Sequence, residues 1–202
     1  MVRVLAINGS PNKRNTYALL EVIVEEVKRL GCDAKVLNLA DFNINPCKGC
    51  DACLKGDCAQ RDDVFKVVEE MQKADAIIIG VPTYFGNVPG IVKNLMDRSR
   101  MCRMSGFKLK NKVFAPVITS GLRHGGGEFT AMSLIVYALG QGMIVVSATD
   151  NPFTMGAFPI GVLQGDSGWR GVKRDEIALN TARALAKRVV EVARATQTLR
   201  SQ

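Results

Sequence analysis

Four cysteines within twelve residues form the densest group of reactive side chains in the sequence. They are Cys47, Cys50, Cys53 and Cys58, arranged as C-x2-C-x2-C-x4-C. Thiolates are soft ligands that select iron–sulfur clusters or zinc, and so compact a run is typical of cysteines that each bind a separate iron. Zinc sites usually separate their ligand pairs by a dozen or more residues, so zinc is the second interpretation and unligated redox thiols the third. The run predicts a [4Fe–4S] cluster.

A polar loop between the first predicted strand and the first predicted helix is a candidate anion site. It reads Asn8-Gly9-Ser10-Pro11-Asn12-Lys13-Arg14-Asn15-Thr16 and matches neither the G-x-x-x-x-G-K-[ST] nor the G-x-G-x-x-G pattern. Backbone N–H groups and the helix dipole favour an anion at such a position. The side chains offered to a mononucleotide phosphate belong to Ser10, Asn12, Lys13, Asn15 and Thr16. The alternative is a plain turn with Asn15 as the N-cap residue.

Two further loops follow the third and fourth predicted strands. The third-strand loop contains Pro82, Thr83, Tyr84, Phe85, Gly86 and Asn87, and the fourth-strand loop contains Ser120, Gly121, Gly125, Gly126 and Gly127. A flat ring can lie against the aromatic loop, and successive glycines let a backbone approach a ligand closely. The His124-Gly125-Gly126-Gly127 string is not an esterase oxyanion hole, because the sequence has no G-x-S-x-G elbow.

The elements that must position these loops alternate between strands and helices. Short β-branched runs at 2–7, 35–39, 76–80, 112–119 and 143–148 predict buried parallel strands, and the segments between them have helical periodicity. We therefore predict one α/β domain over residues 1–202, a doubly wound five-stranded parallel sheet in the flavodoxin-like order 2-1-3-4-5. A cysteine-rich insertion, 41–61, follows the second strand, and a long loop, 150–173, follows the fifth. Loops of this length are usually functional or interfacial, and we place 150–173 at a subunit interface.

Composition excludes several other functions. The chain has 202 residues and one histidine, which rules out zinc sites built on several histidines. The uncharged stretch 129–149 is interrupted by Gly140 and Gly142, so it predicts a buried helix and strand and not a membrane span. We expect no secretory signal and a cytoplasmic location, where thiols remain reduced.

The net charge of +8 is concentrated in one stretch. Between residues 98 and 123 there are seven basic and no acidic residues: Arg98, Arg100, Arg103, Lys108, Lys110, Lys112 and Arg123. A solvated basic face is the simplest interpretation, and docking of an anionic partner is the functional one. No nucleic-acid motif accompanies the stretch, so nucleic acid is not expected as a partner.

Taken together, these motifs resemble the iron–sulfur flavoproteins of anaerobic archaea and bacteria, within the NADPH-dependent FMN reductase group. The cysteine run is similar to the family's compact cluster motif, and Gly9-Ser10-Pro11 with Asn15-Thr16 is similar to its FMN phosphate loop. Pro82-x-Tyr84-x-Gly86-Asn87, with Lys93 and Asp97-Arg98 after it, resembles the isoalloxazine loop and helix. Two details depart from the family: Gly127 stands where glutamine is usual, and the phosphate loop is one residue shorter, with Asn12 where arginine is common.

The resemblance implies one FMN and one [4Fe–4S] cluster per subunit in a homotetramer whose neighbouring subunits complete the flavin sites. It also implies electron transfer between a one-electron donor, ferredoxin or a similar acidic carrier, and an acceptor. The basic stretch suits such a carrier. The competing functions are an NAD(P)H-dependent FMN or quinone reductase with a structural zinc site, a zinc-knuckle module that binds RNA, and a redox sensor.

Overall fold

A parallel sheet with helices on both faces organises the chain. The structure is a computed structural model that describes residues 1–56, 58–122, 125–162 and 171–200. The described strands are β1 (Arg3–Asn8), β2 (Asp33–Asn38), β3 (Ala76–Pro82), β4 (Val113–Ser120), β5 (Ile144–Val145) and β6 (Ile160–Val162). They pair in the order β2-β1-β3-β4-β5, with β6 also on β4, and every ladder is parallel. The predicted fold class and strand order are confirmed.

Alternating side chains divide the core into two layers. In β1, Val4 and Ala6 face one side and Leu5 and Ile7 the other, because successive residues of a strand point to opposite faces. The helices α1 (Asn15–Arg29) and α6 (Glu176–Ala195) cover the first side. The second side is covered by α2 (Val64–Lys73), α3 (Gly90–Arg98), α4 (Arg100–Met104) and α5 (Gly127–Gly140). A short helix, α7 (Gln197–Arg200), follows α6.

The fifth strand position differs from the prediction, because the expected continuous strand over 143–148 is wrong. β5 pairs with the start of β4 and β6 with its end, and the chain leaves the sheet between them. Phe114 O accepts from Val146 N and Ile118 N donates to Pro159 O, so these two residues of β4 face the fifth position. Pro116 lies between them with the same orientation and has no N–H to donate, which explains the interrupted ladder.

The divided fifth strand also changes the prediction of a long loop after strand five. The expected loop 150–173 contains β6 within it, and its residues 163–170, including Trp169, lie outside the described part of the chain. In the described residues no helix combines the length and apolar character that a membrane crossing requires. The uncharged stretch 129–149 is instead divided between α5 and β5.

Candidate cofactor sites

One cavity lies where the loops after β1, β3 and β4 meet. Its lining residues are Ser10, Asn12, Arg14, Asn15, Thr16, Pro82, Thr83, Tyr84, Thr119 and Gly121. Three loops that are far apart in sequence therefore converge at the carboxyl ends of neighbouring strands, which is where open α/β sheets bind ligands.

Buried asparagines hold the polar loop that lines this cavity. Asn8 Nδ2 donates to Asn38 Oδ1 at 3.0 Å, and Asn8 Oδ1 accepts from the backbone N–H of Ser10 at 3.3 Å. The backbone N–H of Asn12 in turn donates to Ser10 Oγ at 3.2 Å. The loop is thus fixed by amide side chains and not by a glycine-rich sequence, and its hydroxyls and N–H groups are held in defined positions.

The beginning of α1 is open to an anion. Arg14 is the N-cap residue of α1, and no side chain caps the helix. The alternative interpretation, in which Asn15 caps the helix, is therefore wrong. The first N–H groups of an uncapped helix need partners, and a phosphate supplies oxygens that accept from them.

Two pairs of threonines connect the loops of the cavity. The hydroxyl oxygens of Thr16 and Thr119 lie 2.7 Å apart, and those of Thr83 and Thr130 lie at the same distance. The first pair ties α1 to the end of β4, and the second ties the β3 loop to α5. Neither Thr119 nor Thr130 was predicted, although Thr119 stands at the carboxyl end of a predicted strand and could have been found there.

The loop after β3 makes a tight turn with an unusual residue at its tip. Tyr84 N donates to Asn87 O at 2.9 Å and Asn87 N donates to Tyr84 O at 3.1 Å. Phe85 and Gly86, between them, have φ values of +51° and +71°. A phenylalanine in the left-handed region costs on the order of 1 kcal/mol or more, and its ring is fully exposed. Such strain is typical of functional loops.

Half of the predicted flavin residues line this cavity. Ser10, Asn12, Asn15, Thr16, Pro82, Thr83, Tyr84 and Gly121 are in the lining, whereas Lys13, Phe85, Gly86, Asn87, Ser120, Gly125, Gly126 and Gly127 are not. Lys13 Nζ lies 6.0 Å from the centre of the Tyr17 ring, and Arg14 takes the place in the cavity that the sequence suggested for lysine. Arg123 and His124 of the fourth-strand loop lie outside the described residues.

A second cavity contains the cysteine run. Its lining residues are Cys47, Lys48, Cys50, Asp51, Cys53, Cys58, Gln60, Asp97, Arg98 and Arg100. Cys47 and Cys50 are exposed, and Cys53 and Cys58 are half-buried. The backbone N–H of Gly49 donates to Cys47 Sγ at 3.5 Å. Asp57, inside the run, lies outside the described residues.

This donor set fits a cluster of iron and sulfide in its chemistry. Four thiols line one cavity together with two guanidinium groups, whose positive charge offsets that of thiolates, and the backbone N–H of Gly49 donates to one of the sulfurs. As placed, the described residues contain no group of three or more His, Cys, Asp or Glu side chains drawn together around a metal position.

The basic stretch is less exposed than its sequence suggests. Arg98 and Lys112 are buried, so neither belongs to a solvated face. Lys112 Nζ donates to the carbonyls of Gln72 and Ala74, and burial lowers the pKa of its ammonium group. Arg100 and Arg103 remain near the surface, on α4.

Comparison with known proteins agrees with these features. Residues 2–154 match the model of the NADPH-dependent FMN reductase family. An iron–sulfur flavoprotein of Archaeoglobus fulgidus is 69% identical over 98% of this chain and 99% of its own. One from Methanocaldococcus jannaschii is 39% identical over 95% and 97%. Among solved structures, a WrbA-like flavodoxin from Agrobacterium tumefaciens aligns with a TM-score of 0.66 at 21% identity, over 97% of this chain and 99% of that one.

The fold, the cavity and the family match together define a flavin-dependent oxidoreductase with a flavodoxin-like fold that uses FMN. Its relatives share nearly its whole length, including the cysteine run region. The chain belongs to the NADPH-dependent FMN reductase family and, within it, to the iron–sulfur flavoproteins.

Proposed function

We propose that this protein transfers electrons between a one-electron donor and an acceptor through a [4Fe–4S] cluster and FMN. Cys47, Cys50, Cys53 and Cys58 would bind the cluster. The observation that carries the proposal is that all four line one cavity with Arg98 and Arg100, separate from the cavity assigned to FMN. When bound, the cluster passes single electrons and FMN holds two, so the pair would couple one-electron to two-electron chemistry.

Helix α3 links the two cavities. The end of β3 and the loop before α3 contribute Pro82, Thr83 and Tyr84 to the FMN cavity, and the last residues of α3, Asp97 and Arg98, line the cysteine cavity. Gly90 and Arg98, the ends of α3, are eight residues apart, which corresponds to about 12 Å along the helix axis. A single rigid element therefore supports both sites, and this favours electron exchange between them.

The residues around the FMN cavity divide into two roles. Ser10, Asn12, Arg14 and the uncapped N–H groups of α1 would bind the phosphate, since they supply hydroxyl, amide and cationic donors at a positive helix end. The β3 loop and the glycine-rich loop after β4 would hold the isoalloxazine ring. No side chain needs to act as a general acid or base for electron transfer. The protein therefore contributes mainly binding and orientation of the two groups.

An acidic carrier such as ferredoxin is the donor we propose. Exposed Lys48 and the partly exposed Arg100 line the cysteine cavity, and exposed Lys55 belongs to the same loop. Positive charge beside the entry point steers an anionic partner and speeds encounter. Because Arg98 and Lys112 are buried, they cannot contact a carrier. We therefore place the docking surface on α4 and the cysteine loop and not on the whole stretch 98–123.

We also propose that the protein is a homotetramer. The helix α5 exposes an apolar face formed by Phe129, Met132, Val136 and Leu139, each more than half exposed. The sequence prediction that this helix is buried holds only for its other face, which includes Leu134 and Ala138. Contiguous apolar surface of this kind supports association, and its N-terminal end adjoins the loops of the FMN cavity.

The proposed function is tested by measuring the metal, acid-labile sulfide and flavin content of anaerobically purified protein. We expect about four irons, four sulfides and one FMN per chain. The Cys47→Ala variant should lose iron and keep FMN, because the two cavities share no lining residue. Zinc beside FMN, or FMN with no metal, would contradict the proposal.

The second candidate is an NAD(P)H-dependent FMN or quinone reductase with a structural zinc site. The description of the matched family, NADPH-dependent FMN reductase, favours it. It requires that NADPH reduce the bound flavin rapidly in protein that contains no iron. Metal analysis combined with an NADPH titration therefore separates the two functions.

A further inference from the structure

Arg98, the last residue of α3, has a buried guanidinium group at the base of the cysteine loop. Its side chain is fully inaccessible, and so is nearly all of the Asp62 side chain with which it pairs. The pair is bidentate, with Nη1 2.7 Å from Oδ2 and Nη2 3.1 Å from Oδ1 of Asp62. A buried ion pair is costly to form, so an arrangement like this one calls for a role beyond general stability.

The same guanidinium holds both ends of the cysteine loop. Nη1 also donates to the carbonyl of Asn45 at 3.1 Å, and Nη2 donates to the carbonyl of Gln60 at 3.2 Å. Asn45 precedes the first cysteine of the run and Gln60 follows the last. Arg98 thus joins the two ends of the cysteine loop, which we call its neck, through the carbonyls of Asn45 and Gln60, fifteen positions apart. This geometry suits the planar, forked guanidinium group of arginine.

Asp62 completes the neck from the other side. Its Oδ2 accepts from the backbone N–H and the Nδ2 of Asn45, at 3.0 and 3.1 Å, and Gln60 Nε2 donates to the carbonyl of Pro46 at 3.0 Å. These bonds leave the segment from Cys47 to Cys58 tied at its base, with its thiols directed to one cavity.

The positive end of the pair faces the cysteines. Arg98 lines their cavity and Asp62 does not. An arginine keeps its positive charge at ordinary pH, and the bidentate pair with Asp62 holds that charge at the edge of the cavity. Arg98 Nε has no hydrogen-bond partner among the described residues. A buried N–H without a partner, on a side chain that lines the cysteine cavity, would have an acceptor in a cluster thiolate or sulfide.

We propose that Arg98 is a positioning residue that closes the cysteine loop around the cluster and raises the cluster's reduction potential. A reduced cluster carries more negative charge than an oxidised one. A fixed positive charge and an N–H donor next to it therefore stabilise the reduced state preferentially. The inference depends on the proposed function, because it requires the four cysteines to bind a cluster.

Arg100 is the matched control. It lines the same cavity and has the same charge, but its side chain is 39% exposed and Nη1 donates to Asp51 at 2.6 Å, away from the neck. Solvent screens a charge at this position more effectively than a buried one. Replacing it removes one positive charge from the cavity without opening the loop.

The experiment compares the wild type with Arg98→Gln, Arg98→Lys and Arg100→Gln after anaerobic purification. Iron and sulfide per chain are measured, and redox titrations followed by EPR and by absorbance give the cluster and flavin potentials separately. In Arg98→Gln we expect loss of most of the iron, a more negative potential for the remaining clusters and an unchanged flavin potential. Arg98→Lys should also lose iron, since an ammonium cannot bind both carbonyls and Asp62 together, but its potential should lie nearer to that of the wild type.

Arg100→Gln should retain its iron and show the smaller shift in cluster potential. If Arg98→Gln keeps wild-type iron and shifts the cluster potential no more than Arg100→Gln does, the inference is wrong. Should Arg98→Gln fail to fold, the double variant Asp62→Asn/Arg98→Gln, which removes both buried charges, takes its place. Its iron content and cluster potential are then compared with those of Arg100→Gln in the same way. A wild type that contains no iron or sulfide overturns the proposed function itself, and the inference with it.

Discussion

Gly126 lies so close to Gly86 that a Cβ atom added to Gly126 would stand 2.8 Å from the Gly86 Cα atom. This contact brings the loop after β4 against the tight turn after β3, so the two loops that would hold the flavin ring meet backbone to backbone here, beside the Thr83 hydroxyl that donates to Gly125 O and Gly126 O. Gly126 also has a φ of +82°, and it precedes the first residue of α5. The two loops can approach this closely at Gly126 and Gly86 because neither residue has a side chain.

Replacing Gly126 with alanine should weaken FMN binding. The added methyl group would push the two loops apart, and overpacking of this kind costs about 1–3 kcal/mol, which corresponds to about fivefold to 150-fold in the dissociation constant. Titration of FMN fluorescence with apoprotein measures the change. Gly106→Ala is the control, because Gly106 has a φ of +87° with no atom within 4 Å of an added Cβ. Equal affinities in the two variants would contradict the argument.

Removing one hydroxyl of the Thr16–Thr119 pair should destabilise the protein more than removing both. Both side chains are buried, so Thr16→Val or Thr119→Val leaves one hydroxyl without its partner, at a cost of about 1–3 kcal/mol. The double variant removes the unpaired group and should recover part of that cost. Urea unfolding of the four apoproteins completes the cycle. Strictly additive effects would show that the two hydroxyls do not interact.

The buried carboxylate of Asp62 should make stability depend on pH in acid. Burial acts to raise the pKa of this carboxyl, but hydrogen bonds from Arg98 and from the N–H groups of Asn45 and Val64 lower it to about 2, from 3.8. A carboxyl with a depressed pKa stabilises the fold above pH 4 and loses that contribution as the pH falls towards 2. The contribution is about 2 kcal/mol.

Acid unfolding of iron-free protein, followed by circular dichroism, measures this effect. Asp62→Asn should be less stable than the wild type at pH 6, and the difference should shrink between pH 4 and pH 2. Asp33→Asn is the control, since Asp33 is exposed and pairs with Arg3 at 3.6 Å near the surface. A constant difference between Asp62→Asn and the wild type across this range would refute the assignment.

A charge on the apolar face of α5 should dissociate the proposed tetramer. Val136→Glu places a carboxylate in the middle of the face formed by Phe129, Met132, Val136 and Leu139, where association would leave it buried and unpaired. Analytical ultracentrifugation should then show a lighter species than the wild type. Ile177→Glu introduces the same charge at a similarly exposed residue of α6 and should not change the mass. An unchanged mass for Val136→Glu would place the interface elsewhere.

Rising salt should slow reduction of the protein by an acidic carrier. Attraction between the carrier and the cations around the cysteine cavity is screened as the Debye length falls from about 10 Å at 0.1 M to about 3 Å at 1 M. Stopped-flow reduction by ferredoxin at several ionic strengths measures the rate. Lys48→Glu, at an exposed residue that lines the cavity, should reduce both the rate at low salt and its dependence on salt. A rate that does not vary with salt would exclude electrostatic docking.

The fold was predictable from the sequence because the strands are buried on both faces and read as short β-branched runs. The cysteine site and the polar loop could be proposed from the sequence because the residues of each lie within about a dozen positions of one another. The role of Arg98 was not, because its partners Asn45, Gln60 and Asp62 come from a different segment and meet it only after α2 and α3 have packed. The same holds for Thr119 and Thr130, whose hydroxyls meet residues about a hundred and about fifty positions away.

Pro116 has a second consequence beyond the divided fifth strand. The outer edge of β4 lacks a donor at its midpoint, and the strands that cover its two ends have only two and three residues. A long, regular edge can pair with the edge of another molecule and seed aggregation, whereas a proline and very short strands prevent such pairing. This side of the sheet is therefore protected against growth into larger β-assemblies.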